Sequence, residues 1–285
     1  MSDRLQEVVR GALDQTITHR SPLSGGCIGE VFRLRLANGR EVVAKRDQSA
    51  TPRLDIEGYM LQYLQAESSL PVPEVIATTP DVLLMDFISG DSHFVSSSQR
   101  HAAQLLAALH GVRGDAHGLP RDTLIGGLHQ PNPATPSWVE FFRTQRLLHM
   151  AEMARQEGVM GAPLLRRITR FADALEEFLE EPPYPSLLHG DVWTTNVLAS
   201  KGQITAFIDP AIYYGHPEVE LAFITLFSTF GPPFFDAYNQ LRPIRPGFFE
   251  TRRDIYNLYP LLVHVRLFGS SYLAGIESTL ARIGF

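Results

Sequence analysis

The sequence predicts an α+β chain of two unequal lobes, a small β-rich N-lobe and a large, mainly helical C-lobe. Three observations predict it. Strand-like runs crowd into the front of the chain instead of alternating with helices, which argues against a doubly wound α/β sheet. A short hinge near Asp86–Gly90 closes an apolar strand and divides the chain into 1–88 and 89–285. Beyond the hinge helical patterns dominate, interrupted once by a β-rich stretch over Leu187–Asp209.

The elements follow in order. An N-terminal amphipathic helix leads into strands at Thr16–Ser24 and Glu30–Leu36, which flank a glycine-bearing turn. Asn38-Gly39 joins the second of these to Glu41–Arg46 as a hairpin, and the dipeptide favours a type I′ turn because both residues tolerate positive φ. Pro52 opens a helix that runs to Ser68, where Pro71 and Pro73 stop it. Pro80-Asp81 then turns the chain into the apolar strand Val82–Ile88. Helices are predicted at Ser97–His110, Ser137–Glu157 and Pro163–Glu180, closed by Gly111, Gly158 and Pro182-Pro183. After the β-rich interlude, helices resume to the C-terminus.

Composition narrows the function. The chain has 285 residues, 44% of them hydrophobic, as in an ordinary globular protein with a sizeable core. A net charge of −6 argues against nucleic-acid binding, and the four arginines of Arg242–Arg253 read as a solvated loop. The polar start lacks the apolar core of a secretion signal, and Pro260, His264 and Arg266 break the most apolar helix, so no membrane span is expected. The single cysteine, Cys27, excludes an intrachain disulfide and a multi-cysteine metal site. A reducing cytoplasm is the expected setting.

The sharpest chemical signal is His189-Gly190-Asp191-Val192-Trp193-Thr194-Thr195-Asn196, followed by Ile208-Asp209-Pro210. Asp191 and Asn196 have the separation of a kinase catalytic loop, and Asp209 follows an apolar strand as a metal-binding aspartate does. Phosphoryl transfer needs this division of labour. One carboxylate faces the acceptor hydroxyl, while a second carboxylate and an amide oxygen hold Mg²⁺ against the phosphates of ATP. Asp, Asn and Asp are also common in plain turns, so the order of further features matters. Ser24–Glu30 is a glycine-bearing loop in which Gly25, Gly26 and Cys27 can bring backbone N–H groups to phosphate. Val43-Ala44-Lys45 resembles the kinase strand whose lysine pairs the phosphates, and Glu57 is its candidate partner because it shares a face with Leu61 and Leu64. Val31, Ala44 and Leu198 could sandwich adenine with Met85 behind it, and Asp86 and Ile88 could offer hinge hydrogen bonds. The arrangement predicts a protein-kinase-like bilobal fold.

The motif HGDVWTTN resembles the fructosamine kinase (ketosamine-3-kinase) family, whose HGDLWSGN carries the same tryptophan. Trp138–Phe142 with Gln145–Leu148 is similar to the family's WVEFFxxQRL helix. Asp209–Ala211 with Tyr213–Glu218 resembles DPAxYYGHxE, and Leu258–Tyr272 resembles LYxLLxHxxLFGxxY. Gly25–Ile28 is similar to the family's cysteine-bearing phosphate loop. The resemblance implies ATP- and Mg²⁺-dependent phosphorylation of the 3-hydroxyl of a ketosamine, free or on a protein lysine, which makes the sugar adduct labile. It makes Asp191 the base, Asn196 and Asp209 the metal ligands, and Trp193, His264 and Tyr213 candidates for the sugar pocket. Three departures stand out: Thr194-Thr195 for Ser-Gly, Glu220 for Asp, and Val263 for Asn. The rival readings are a kinase of another small alcohol, such as an aminoglycoside or choline, and a non-catalytic nucleotide-binding module. Cys27, among oriented N–H groups, is a candidate redox-sensitive thiol, so the chain is expected as a monomer or as a redox-linked homodimer through Cys27.

Overall fold

The computed structural model describes residues 3–23 and 29–285. Gly25, Gly26 and Cys27, the proposed phosphate loop, lie outside the described residues. The N-terminal part consists of α1 (Arg4–Leu13), β1 (Ile17–Pro22), β2 (Glu30–Leu36), β3 (Glu41–Arg46), α2 (Leu54–Glu67), β4 (Val75–Thr78) and β5 (Val82–Asp86). The strands form one antiparallel sheet in the order β1-β2-β3-β5-β4. Strand period decides which element covers which face. Leu34, Leu36, Val42, Ala44, Val82 and Leu84 meet Leu5 and Val9 of α1. The alternate residues Val43, Leu83 and Met85 meet Leu54 and Leu61 near α2.

Three local expectations change here. The β2–β3 hairpin forms, but its turn is not type I′. Gly39 N–H donates to Leu36 C=O (2.9 Å), and of the loop residues only Gly39 takes positive φ, at +83°. This is a type I turn followed by a left-handed glycine, the usual three-residue hairpin loop. Strand β4 was not anticipated, because it follows two prolines and has no fully buried residue to set its period. Strand β5 ends at Asp86, two residues early. Phe87–Gly90 leaves the sheet and is tied to the C-terminal part, where Asp91 and Ala199 exchange backbone hydrogen bonds (2.9 and 2.7 Å). A Cβ at Gly90 would lie 2.8 Å from Thr205 Oγ1, which explains a glycine at the hinge.

The C-terminal part begins with α3 (Ser96–Leu109) and an unanticipated hairpin, β6 (Thr123–Ile125) and β7 (Leu128–Gln130). One long helix, expected at Ser137–Glu157, is α4 (Trp138–Phe141), a π-helical stretch over Phe142–Leu148, and α5 (His149–Gln156). α6 (Ala162–Asp173) is shorter than expected. Then come β8 (Ser186–Leu188), β9 (Val197–Ser200), β10 (Gln203–Phe207), β11 (Tyr213–Gly215), α7 (Pro217–Leu226), α8 (Pro232–Leu241), α9 (Arg253–Tyr256), α10 (Leu258–Phe268) and α11 (Leu273–Arg282). A single large core runs through these helices, with Trp138, Phe141 and Phe142 fully buried at its centre. No helix among the described residues is long and apolar enough to cross a membrane.

The basic stretch is not simply solvated. Arg252 is buried and forms a bidentate pair with Glu218 (2.7 Å twice), Arg242 donates to Tyr184 Oη (2.8 Å), and Arg245 pairs with Glu180. A buried guanidinium needs such a fork-shaped partner, so charge density alone was a poor guide to this segment.

Candidate active site

Strand β8 delivers His189-Gly190-Asp191 to the cleft between the two parts. Gly190 has φ +84°, and a Cβ there would lie 2.1 Å from Ala211 O, so only glycine fits. Ala211 N–H donates to His189 C=O (2.8 Å), which locks this turn to the segment carrying Asp209. Thr194–Asn196 forms one turn of 3₁₀ helix, and neither threonine takes positive φ. The departure from Ser-Gly therefore asks for no backbone conformation that threonine resists.

The three polar residues of the motif meet. Asn196 Nδ2 donates to Asp191 Oδ2 (2.8 Å) and to Asp191 C=O (3.1 Å). With its amide nitrogen engaged, Asn196 keeps Oδ1 for another partner. Asp209, at φ +53°, accepts from Lys45 Nζ at 2.5 Å, and the same ammonium lies 2.6 Å from Glu57 Oε1. The predicted Lys45–Glu57 pair is thus present, whereas Asp55 of the same helix pairs with Arg121 (2.8 Å).

Burial and charge set the protonation of the cluster. Burial raises the Asp191 carboxyl and Asp209's charge adds to it, while the Asn196 amide opposes both; the result is about 8. Burial also raises Glu57, against the pull of Lys45. For Lys45 burial works to lower the pKa, but Asp209 and Glu57 outweigh it and hold the ammonium firmly charged. Two close carboxylates that repel each other, with an amide oxygen beside them, suit a hard divalent cation. Mg²⁺ typically takes one or two such oxygens and completes its shell with phosphate and water. Asp209 and Asn196 Oδ1 fit that set.

Of the residues expected around adenine, Val31, Met85 and Leu198 lie on the Lys45 side of the N-terminal sheet or at the hinge. Val31 and Met85 pack on the Lys45 face of the sheet, and half-buried Leu198 sits beside Gly90 at the hinge. Ala44 is a correction. It is completely buried on the opposite face, against the α1 side, paired with Phe32 and Leu84. Side chains alternate along β3, so Val43, two before Lys45, faces the cleft in its place. At the hinge, Asp86 N–H already donates to Glu74 C=O (3.0 Å) and its carboxylate accepts from Arg40 (2.7 Å). Asp86 thus keeps only its carbonyl for a nucleotide, and Ile88 stands half-buried outside the sheet. These faces yield an expected result. Val43→Phe should weaken ATP binding by about tenfold or more, whereas Ala44→Leu should cost ~1–3 kcal/mol of stability by overpacking and leave affinity alone. Calorimetric titration with ATP beside thermal melts checks both; the reverse pattern would restore Ala44 to the pocket.

Lys45, Glu57, Asn196 and Asp209 line one depression, and a second adjoins it. Asp191, Trp193 and Gly126 line both. Its far wall is α10 with α7, where His264 stacks near Phe227 (4.8 Å) and Tyr272 (5.0 Å), and Trp193 lies 6.0 Å from Phe227. His264 Nδ1 lies 2.7 Å from Pro260 C=O, and burial holds the imidazole below its usual pKa. A carbonyl can only accept, so Nδ1 carries the proton and neutral His264 keeps Nε2 as an acceptor. Tyr213 is not brought to this pocket. It is buried on β11 with its ring 3.9 Å from the Arg146 guanidinium, and its place in the motif serves packing. Val263, the third departure, does line the pocket.

One residue that matters was visible only as a departure. Glu220 of α7 is fully buried; its Oε1 accepts from Gly190 N–H (2.6 Å), and its Oε2 accepts from His110 Nε2–H (2.8 Å) and faces His189 N–H (3.4 Å). His110 Nδ1 in turn meets Tyr238 Oη (2.7 Å). The carboxylate is held below its usual pKa, because these donors outweigh its burial.

Known proteins resemble this chain over nearly its whole length. The fructosamine kinase family model matches residues 1–284. A candidate ketoamine kinase of Vibrio parahaemolyticus is 33% identical over 275 residues, covering 94% of this chain and 93% of the relative. The chloroplastic protein-ribulosamine 3-kinase of Arabidopsis thaliana is 30% identical, with 93% and 82% covered. A crystal structure of a candidate fructosamine-3-kinase from Thermobifida fusca superposes with TM-score 0.87 at 27% identity, over 99% of this chain and 98% of that one. An aminoglycoside phosphotransferase in ternary complex with ADP and hygromycin B reaches 0.69 at 17% identity, covering 99% of each chain, a likeness of fold alone.

Proposed function

The chain belongs to the fructosamine kinase family, and from that premise we propose that it transfers the γ-phosphoryl group of ATP to the 3-hydroxyl of a ketosamine. The observation that carries this reading is the junction at Asp191, where a carboxylate with a raised pKa faces both the Lys45–Asp209 cluster and a largely apolar acceptor pocket. A carboxylate poised near neutrality suits a base that must take a hydroxyl proton and release it again.

In this reading Val31, Val43, Met85 and Leu198 enclose the adenine, and the Asp86 carbonyl and Ile88 backbone meet its edge. Lys45, positioned by Glu57, balances phosphate charge. Asp209 and Asn196 Oδ1 would hold Mg²⁺, which neutralises charge on the phosphates as the γ-phosphoryl group leaves. The acceptor oxygen forms its bond to phosphorus as the bond to ADP breaks, and the hydroxyl proton passes to Asp191. Trp193 offers a face to the sugar, and His264 Nε2 accepts a hydrogen bond from one of its hydroxyls. In this reading 1–88 supplies most of the nucleotide site and 89–285 the catalytic loop, the metal ligands and the acceptor pocket, and the product is the labile phosphorylated adduct of a deglycation step.

The pocket disfavours an aminoglycoside. Its carboxylates are Asp191 and Glu220, and Glu220 is already engaged by the catalytic turn, so a polycationic acceptor would find little negative charge there. An ATP-consumption panel of ribulosamine, fructosamine, aminoglycoside and choline tests this directly. The expected result is highest kcat/KM for a ketosamine; a higher value for an aminoglycoside or choline would replace the substrate assignment and leave the kinase standing.

A further inference from the structure

The β6–β7 hairpin has no part in the reaction described so far, yet it reaches the transfer point. Its tip is Gly126-Gly127, with φ of +51° and +84°, the type I′ geometry that two glycines adopt without strain. Gly126 lines both the nucleotide side and the acceptor pocket. The hairpin is held from both lobes. Arg53, at the head of α2, donates to Gly127 C=O (3.1 Å), and Arg121 reaches Asp55 of the same helix. From the other lobe, Gln130 Nε2 donates to Ala211 C=O (3.0 Å), two residues beyond Asp209, and accepts at Oε1 from Tyr259 Oη–H (2.6 Å) of the acceptor wall. Among the described residues, neither Gly126 N–H nor Gly127 N–H has an acceptor. Two backbone donors without acceptors therefore border the depression that Asp191 also lines, in a turn anchored to the elements that carry Glu57, Asp209 and the acceptor wall.

We propose that this diglycine tip is a third component of the active centre. Its amides hydrogen-bond the oxygens of the transferring phosphoryl group, and its backbone closes the space between nucleotide and acceptor to water. Preorganised amides suit this task, because charge on those oxygens shifts during transfer and fixed dipoles need no reorganisation. In productive turnover the acceptor oxygen bonds to the γ-phosphorus while the bond to ADP breaks and the proton goes to Asp191. Water in the acceptor's place gives ADP and inorganic phosphate instead, and the tip suppresses that reaction. A Cβ at Gly126 would come within 2.7 Å of Leu267 Cδ1, the movable end of a side chain in the acceptor wall, so a side chain at the tip displaces that leucine and intrudes on the junction.

The inference rests on the kinase reading, and the test separates the two. Gly126→Asn keeps a residue that accepts positive φ but places a side chain at the junction. Arg53→Ala releases the tip from α2 without touching the tip itself. Full-length wild type and both variants are assayed with Mg-ATP for transfer to ribulosamine and for hydrolysis without acceptor, and hydrogen exchange is followed over 123–130 with a non-hydrolysable ATP analogue and ribulosamine. Expected are a ratio of hydrolysis to transfer raised about tenfold in each variant, and amide exchange at Gly126 and Gly127 slowed when both ligands bind wild type. A hairpin that only braces the fold would lower the melting temperature and leave the ratio and the exchange unchanged, and that outcome overturns the proposal. If wild type transferred to no ketosamine, the functional reading would fail on its own, while hydrolysis and exchange would still decide the role of the tip.

Discussion

Asp191→Asn should lower turnover by roughly 10²–10⁴-fold, the range that a positioned general base contributes, while the folded protein still binds nucleotide. The amide has the shape of the carboxylate but cannot take the acceptor's proton. The same substitution should raise the melting temperature of the ligand-free protein in chelator. Asp191 titrates higher in the folded state than its ordinary value, so the native state binds more protons than the unfolded one between about pH 4 and 8, and stability falls as pH rises through that window. Removing the charge removes that loss. Steady-state rates beside thermal melts at pH 7 check both halves, and a kcat within a few-fold of wild type would remove Asp191 from the chemistry.

Glu220→Ala should have the largest effect on stability and a clear one on rate. It strips a fully buried carboxylate from the Gly190 N–H and from His110, leaving two interior donors without acceptors. Breaking such a buried group typically costs ~3–5 kcal/mol, roughly 10 °C in melting temperature for a chain of this size. Because Gly190 precedes Asp191, turnover should also fall by about ten- to a hundredfold, with ATP affinity little changed. Glu220→Gln, which can still accept from Gly190, should lie between. Equal turnover in all three proteins at a temperature where each is folded would reduce Glu220 to a packing residue.

The fold and the candidate site were legible to different depths. Asp191, Asn196 and Asp209 could be read because they depend on short spacings within one segment and one following strand. Lys45 and Glu57 could be read because a helix face and a strand motif each announce one partner. Ala44 was misplaced because the motif was matched as a string; counting by twos from Lys45 points to Val43. Tyr213 was misplaced because likeness to a family motif transfers position in the chain and not the direction of a side chain. Hairpin β6–β7 was missed because three-residue strands are too short to show a period, although Gly126-Gly127 was itself a turn signal. Glu220 stood in view as an unusual residue, but its partners at 110, 189 and 190 lie on other elements and only folding joins them. The family resemblance read from HGDVWTTN is borne out by the family model over nearly the whole chain.

The glycine at 190 has a mechanical consequence. Because Ala211 O lies where a side chain would be, and Ala211 N–H is bonded to His189, the stretches bearing Asp191 and Asp209 cannot slide past one another. Both also belong to the larger lobe, whereas Lys45 rides on the smaller one. If the cleft opens about the link at 87–90, the two aspartates travel as one solid piece and only the lysine's distance from them changes. Admission of substrate and product release can then proceed by rocking one body on another, without realigning the two aspartates.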